Sequence, residues 1–122
     1  MLELTKIFEF AYAHHLPDYD GPCKNLHGHT AILEVTIMNM SYLDHYPAMV
    51  FDFKELKEIV NAAVIDPLDH SYLNDKFEIP TCETVIDWIA MEIEQQLPFG
   101  IILKKLKLYE TPTSYITWKR GK

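Results

Sequence analysis

From His27 to Met38 the chain largely alternates between two sides. His27, His29, Ala31, Leu33, Val35 and Ile37 fall on one, with Thr30, Glu34 and Thr36 on the other. A period of two fits a β-strand with one buried face and does not fit a helix. A second alternating run precedes it, from Thr5 to His15, in which Phe8, Phe10, Tyr12 and His14 share one parity and Ile7, Glu9, Ala11 and Ala13 the other. Between the two runs, Leu16 to Asn25 holds Pro17, Asp18, Asp20, Gly21 and Pro22, which are turn residues. The two runs therefore read as antiparallel partners across a long loop.

The period then changes. Ala48 to Phe51 reads as a short third strand. Phe53, Leu56, Ile59, Val60, Ala63 and Val64 recur at helical spacing, so a helix is expected from Phe53 to Ile65, with Asp52 as its N-cap and Pro67 helping to end it. A second helix is expected from Cys82 to about Gln96, capped by Thr81 and stopped by Pro98 and Gly100. Its apolar stripe is Val85, Trp88, Ile89 and Ile93. Alternation returns at Leu106, Leu108 and Glu110, breaks at Pro112 and resumes from Tyr115 to Trp118. The fold class is α+β, with the helices on one face of an antiparallel sheet.

Composition narrows the function. The 122 residues amount to a single domain, 1–122, with 48% hydrophobic and 24% charged residues. The formal charge is −7 and Arg120 is the one arginine, which disfavours nucleic acid as a partner. No run approaches the ~18 consecutive apolar residues of a membrane span. Met1 to Ile7 carries Glu3 and Lys6 and lacks the apolar core of a signal peptide. Two cysteines, Cys23 and Cys82, make no disulfide framework, so the expected compartment is the cytoplasm, where thiols stay reduced.

The histidines carry the chemistry. His27 and His29, two apart on a strand, project to the same side with Cα atoms roughly 6.6 Å apart. Imidazoles so placed can converge on one ion at the usual Zn–N length of about 2.0–2.1 Å. Gly28 between them allows close backbone approach on the opposite face. A lone His-x-His is more often an ordinary surface or core pair than a metal site. It gains weight from His14, which ends the partner strand and can supply a third ligand, although spacing does not separate His14 from His15. His45 and His70 are further candidates. Three imidazoles with an open position would make a catalytic zinc site rather than a structural one.

Other residues fit around such an ion. Cys23 lies four residues before His27 and is open to three readings: an activated thiol, a fourth ligand, or a small buried apolar residue. Cys82, at a helix start, reads as structural. Asp69-His70 pairs a carboxylate with an imidazole, provided a turn lets adjacent side chains meet. Glu110 shares the face of Leu106 and Leu108, where an unpaired carboxylate would be costly.

Taken in order, FAYAHHL from Phe10 to Leu16, CKNLHGH from Cys23 to His29, MVFDF from Met49 to Phe53, LDHSYLND from Leu68 to Asp75, PTCE from Pro80 to Glu83 and ETPTS from Glu110 to Ser114 resemble the 6-pyruvoyltetrahydropterin synthase / 6-carboxytetrahydropterin synthase family. The resemblance spans nearly the whole chain. It implies the tunnelling fold, a four-stranded antiparallel sheet with two helices on one face that assembles into an oligomeric barrel, a homohexamer built as a dimer of trimers. It implies His14, His27 and His29 as zinc ligands, Cys23 as catalytic thiol, Asp69 and His70 as a proton relay reaching the site from a neighbouring subunit, and Glu110 as the anchor of the pterin.

The three residues between Cys23 and His27 resemble the 6-carboxytetrahydropterin synthases of queuosine (7-deazaguanine) biosynthesis. The implied substrate is 7,8-dihydroneopterin triphosphate, and the implied products are 6-carboxytetrahydropterin, acetaldehyde and triphosphate. Lys24, Lys54, Lys119 and Arg120 are candidates to offset the substrate's charge. The competing readings are a 6-pyruvoyl synthase, which releases no acetaldehyde, and a zinc-stabilised oligomeric module without activity. Tyr12 and His15 depart from the family's Ala and Arg at those places.

Overall fold

The computed structural model describes residues 1–121, apart from the side chain of Cys23. Strand β1 (Leu4–His14) pairs antiparallel with β2 (His27–Asn39) along its whole length, from Leu4 opposite Ile37 to His14 opposite His27. On the far side of β2 lies β4 (Ile101–Thr111), and β5 (Ser114–Lys119) follows it across a tight turn. A two-residue strand, β3 (Ser71–Tyr72), runs parallel to β1 beside Tyr12 and Ala13. The sheet order is β3-β1-β2-β4-β5. The fold is α+β as expected, but the sheet is mixed and five-stranded, not purely antiparallel with four strands. The extra pairing starts where the His70 N–H donates to the Ala11 carbonyl at 2.6 Å.

Ala48 to Phe51 forms no strand. Val50 is buried, and its carbonyl is taken by the Asn39 side-chain amide at 3.2 Å rather than by a neighbouring strand. The segment behaves as an anchored loop.

The first helical run begins as expected after Asp52, whose carboxylate accepts the Lys54 N–H at 2.8 Å. It comprises α1 (Phe53–Val60), a wider π segment (Asn61–Ile65) and α2 (Asp66–Leu68), so it runs past the expected end at Ile65. Pro67 sits inside it. A proline has no N–H to give and its ring crowds the carbonyl four residues back. The widened turn, in which the Asp66 N–H bonds to the Asn61 carbonyl, makes room for that ring. Helix α3 (Cys82–Gln96) begins at Thr81, whose hydroxyl accepts the Thr84 N–H at 3.2 Å.

Both helical runs cover one face of the sheet. Leu33, Val35, Leu106 and Leu108 meet Leu56 and Val60 from α1 and Ile89 and Ile93 from α3 in one continuous buried cluster. Each such side chain removed from water stabilises the fold by about 1.5–3 kcal/mol. Among the described residues no helix is long and apolar enough to cross a membrane. Towards one end of this covered face the apolar residues give way to Tyr12, His14, His27, His29 and Glu110. The core therefore holds the candidate site rigidly from below.

Candidate metal centre

Strand registry gathers the polar residues. His14 faces His27 across β1 and β2, and Tyr12 faces His29. Glu110, two residues beyond Leu108 on β4, arrives where the β4–β5 pairing slips between Tyr109 and Thr111. One ligand atom from each of His14, His27, His29 and Glu110 lies within 4.8 Å of every other. Tyr12 walls the group, with its ring centroid 5.1 Å from that of His14 and 5.6 Å from that of His29.

The imidazole tautomers follow from backbone acceptors. His14 Nδ1 lies 2.9 Å from the Pro80 carbonyl, and His27 Nδ1 lies 2.7 Å from the Asn25 carbonyl. A carbonyl only accepts, so each Nδ1 carries the proton and each Nε2 presents a lone pair. Those two Nε2 atoms stand 2.9 Å apart. Two lone pairs at that distance repel unless a proton or a cation lies between them. The third imidazole presses the same point: His29 Nε2 is buried without a hydrogen-bond partner. Glu110 Oε1 approaches it to 3.2 Å, and His14 Nε2 to 3.4 Å, but the His29 contact lacks hydrogen-bond alignment.

Burial, with a smaller push from the neighbouring histidines, holds His14 and His29 below the ordinary imidazole range; Glu110 and, at His14, the Pro80 carbonyl pull the other way. Both are therefore neutral near pH 7, the form that binds metal. Three imidazoles and one carboxylate, with lone pairs converging and an orphaned buried nitrogen, fit a divalent transition ion. Nitrogen donors with a single carboxylate suit zinc better than magnesium or calcium.

His15 lies outside this group. Its ring nitrogen Nδ1 lies 2.8 Å from the Tyr72 hydroxyl, and its peptide is held by Asn74. Cys23 falls in the short 3-10 turn Pro22–Lys24, and its side chain lies outside the described residues. Cys82 is half-buried, and its thiol is pushed up to about 12 by burial and then by the Glu110 and Glu83 carboxylates, so it stays protonated. Gly28 faces no close neighbour. An added Cβ would meet only the Tyr12 carbonyl at an ordinary 3.5 Å, so none of the described residues requires glycine there.

Asp69 and His70 do meet. His70 adopts a left-handed conformation, φ 60°, and this turn swings its Nδ1 to within 3.1 Å of Asp69 Oδ2. The other Asp69 oxygen accepts the Ala11 N–H at 2.8 Å. That bond, with the His70 contact adding to it, holds the Asp69 carboxyl below its ordinary value. The His70 ring is 83% exposed and is not part of the metal-ligand group. It shares with His29, Gly28, Thr30 and Ser71 an open hollow of about 450 Å³. Glu110 also lines a smaller hollow of about 170 Å³ with Cys82, Glu83 and Ser114.

Sequence reasoning placed Glu110 on the covered face but not among the histidines, and it missed the Pro80 and Asn25 carbonyls altogether. Backbone acceptors leave no residue-type signal.

Comparison with known proteins agrees with this geometry. A family model described as 6-pyruvoyl tetrahydropterin synthase matches residues 3–121. The chain is 32% identical to the 6-carboxy-5,6,7,8-tetrahydropterin synthase of Haemophilus influenzae, covering 98% of this chain and 99% of that protein. It is 36% identical to the protein of the same name from Synechocystis, covering 91% and 88%. The solved structure of Caenorhabditis elegans 6-pyruvoyl tetrahydropterin synthase superposes with a TM-score of 0.80 at 22% identity, over 98% of this chain and 96% of that one. The chain belongs to the 6-pyruvoyl tetrahydropterin synthase family.

Proposed function

We propose that this chain is a zinc-dependent 6-carboxy-5,6,7,8-tetrahydropterin synthase. It converts 7,8-dihydroneopterin triphosphate and one water into 6-carboxytetrahydropterin, acetaldehyde and triphosphate on the route to queuosine. The observation that carries this reading is the convergence of the His14, His27 and His29 Nε2 atoms with Glu110. It occurs in a chain whose bacterial relatives, at 32% and 36% identity, bear that name.

His14, His27 and His29 would hold the ion, which would supply Lewis acidity toward the hydroxyls of the substrate side chain. Pro80 and Asn25 orient two of those imidazoles through their Nδ1 protons. Glu110 receives the pterin, its carboxylate accepting the 2-amino and N3–H donors. Its approach to the histidines supports an anchor beside the ion's site. Cys23, as thiolate, takes a proton from the substrate side chain. His70, oriented by Asp69, returns protons.

His70 is exposed, away from the ligand group, which favours its serving the site of a neighbouring copy. Among the described residues, β1 has a strand neighbour on its β3 side only at Tyr12 and Ala13, and β5 pairs on one side alone. Such edges ask for a partner, which supports closure of several copies into a barrel and a homohexamer.

The deciding experiment incubates the zinc-loaded protein with 7,8-dihydroneopterin triphosphate, traps aldehyde and identifies the pterin by mass spectrometry. Acetaldehyde with a 6-carboxy product supports the reading. A 6-pyruvoyl product without acetaldehyde assigns the other synthase activity. No turnover by either wild type or Cys23→Ala, with zinc bound, leaves a non-catalytic zinc module.

A further inference from the structure

Asn74 lies in the 3-10 turn Leu73–Asp75, immediately after β3. Its side-chain Oδ1 accepts the His15 N–H at 3.0 Å, and its Nδ2 donates to the His15 carbonyl at 3.0 Å. The register explains why. β3 pairs Ser71 with Tyr12 and Tyr72 with Ala13, so Asn74 stands opposite His15 where a longer strand would continue. The backbone has already turned away into the 3-10 turn, and the side-chain amide completes the ladder in its place. A primary amide presents one donor and one acceptor side by side, as a peptide group does, and can satisfy both.

The residue before this clamp is His14, which is 3% exposed and belongs to the ligand group. Its Nδ1 is held by the Pro80 carbonyl, six residues beyond Asn74 on the same connection. The connection thus grips the end of β1 twice, at the imidazole of His14 and at the peptide of His15. With the peptide on its C-terminal side fixed, the direction in which the His14 side chain leaves the backbone is fixed too.

We propose that Asn74 is a positioning residue of the metal centre, which aims His14 at the ion by clamping the His15 peptide. This rests on the metal reading given above. The groups that orient ligands typically change metal affinity by about 10–100-fold when removed.

Cobalt(II) serves as the probe, because its visible spectrum reports ligand geometry and chelator competition reports affinity. Asn74→Ala and Asn74→Asp are compared with the unaltered protein. The aspartate keeps the volume and the acceptor for the His15 N–H but sets an oxygen against the His15 carbonyl. It carries the test if the alanine variant does not fold. Asn39→Asp is the control, since the buried Asn39 amide likewise clamps two backbone groups, the Val50 carbonyl and the Ser41 N–H, on the apolar core side. The expected result is cobalt binding weakened about 10–100-fold with altered visible bands in the Asn74 variants, and affinity and bands retained in Asn39→Asp. Unchanged affinity and bands in a folded Asn74 variant overturn the proposal, as does an equal loss in Asn39→Asp. An unaltered protein that binds no cobalt overturns the metal reading itself.

Discussion

His14 Nδ1 and the Pro80 carbonyl oxygen, 2.9 Å apart, tie the last residue of β1 to the residue just before the N-cap of α3. The imidazole that ends a strand is thereby aimed by the same short segment that starts a helix. Cap and ligand orientation share a lever, and this has a measurable consequence.

Thr81→Ala removes the hydroxyl that accepts the Thr84 N–H. The expected cost is about 1 kcal/mol of stability. Because the Pro80 carbonyl is the adjoining peptide's acceptor, zinc affinity falls as well, while Thr81→Ser restores both. Urea unfolding and chelator competition measure the two effects separately.

His14→Ala, His27→Ala and His29→Ala each remove one converging nitrogen. Each is expected to lower zinc affinity by more than the roughly 100-fold upper range for an orienting group. His15→Ala, which lies outside the ligand group, should retain bound zinc. Metal content after dialysis against a weak chelator distinguishes them; zinc loss from His15→Ala but not His14→Ala would reverse the assignment.

Asp69 gives a pH dependence with a definite sign. Its carboxyl is held below the ordinary 3.8, first by the Ala11 N–H. A carboxyl whose folded pKa is depressed contributes stability that is present above the unfolded value and lost as pH falls through the folded one. Asp69→Asn should therefore melt below the parent at pH 7, and the gap should narrow below pH 3.8. Thermal melts at pH 7, 4 and 3 test this; a gap that stays constant with pH removes the ionised carboxylate from the explanation.

Leu33 is fully buried at the centre of β2. Leu33→Ala should cost about 2–5 kcal/mol, from lost burial and the cavity left behind. Denaturant unfolding with an unchanged slope is the expected signature.

The parts of the fold that were legible are those in which local pattern and tertiary burial agree. Period two marked β1 and β2 to within a residue, because each has one covered face. Asp52 and Thr81 marked both helix starts, because a capping side chain acts on its own neighbours. Two features were invisible for opposite reasons. β3 has only two residues and too little chain to show a period, so its pairing with β1 is a tertiary fact. The Ala48–Phe51 segment looked extended because Val50 is buried, yet burial there comes from loop anchoring rather than strand pairing.

The site was legible to a similar depth. His-x-His on an alternating run places two imidazoles together whatever the tertiary fold. That His14 faces them, and not His15, depends on the β1–β2 register. The approach of Glu110 depends on the β2–β4 register, which sets Leu33 opposite Leu108 across a long stretch of intervening chain.

That spread over the chain has a kinetic meaning. His14, His27 and His29 come from β1 and β2, which are neighbours in sequence, whereas Glu110 comes from the distant β4. The three imidazoles can meet as soon as β1 and β2 pair, but the carboxylate joins them only after β4 has docked. Loop closure over that longer span is slow compared with hairpin formation. An ion held by the imidazoles would act on chains whose sheet is still unfinished, and would shift the balance toward the paired β1 and β2 by mass action. The appearance of cobalt colour during refolding would then time the pairing of β1 with β2, and a later change in its bands the docking of β4.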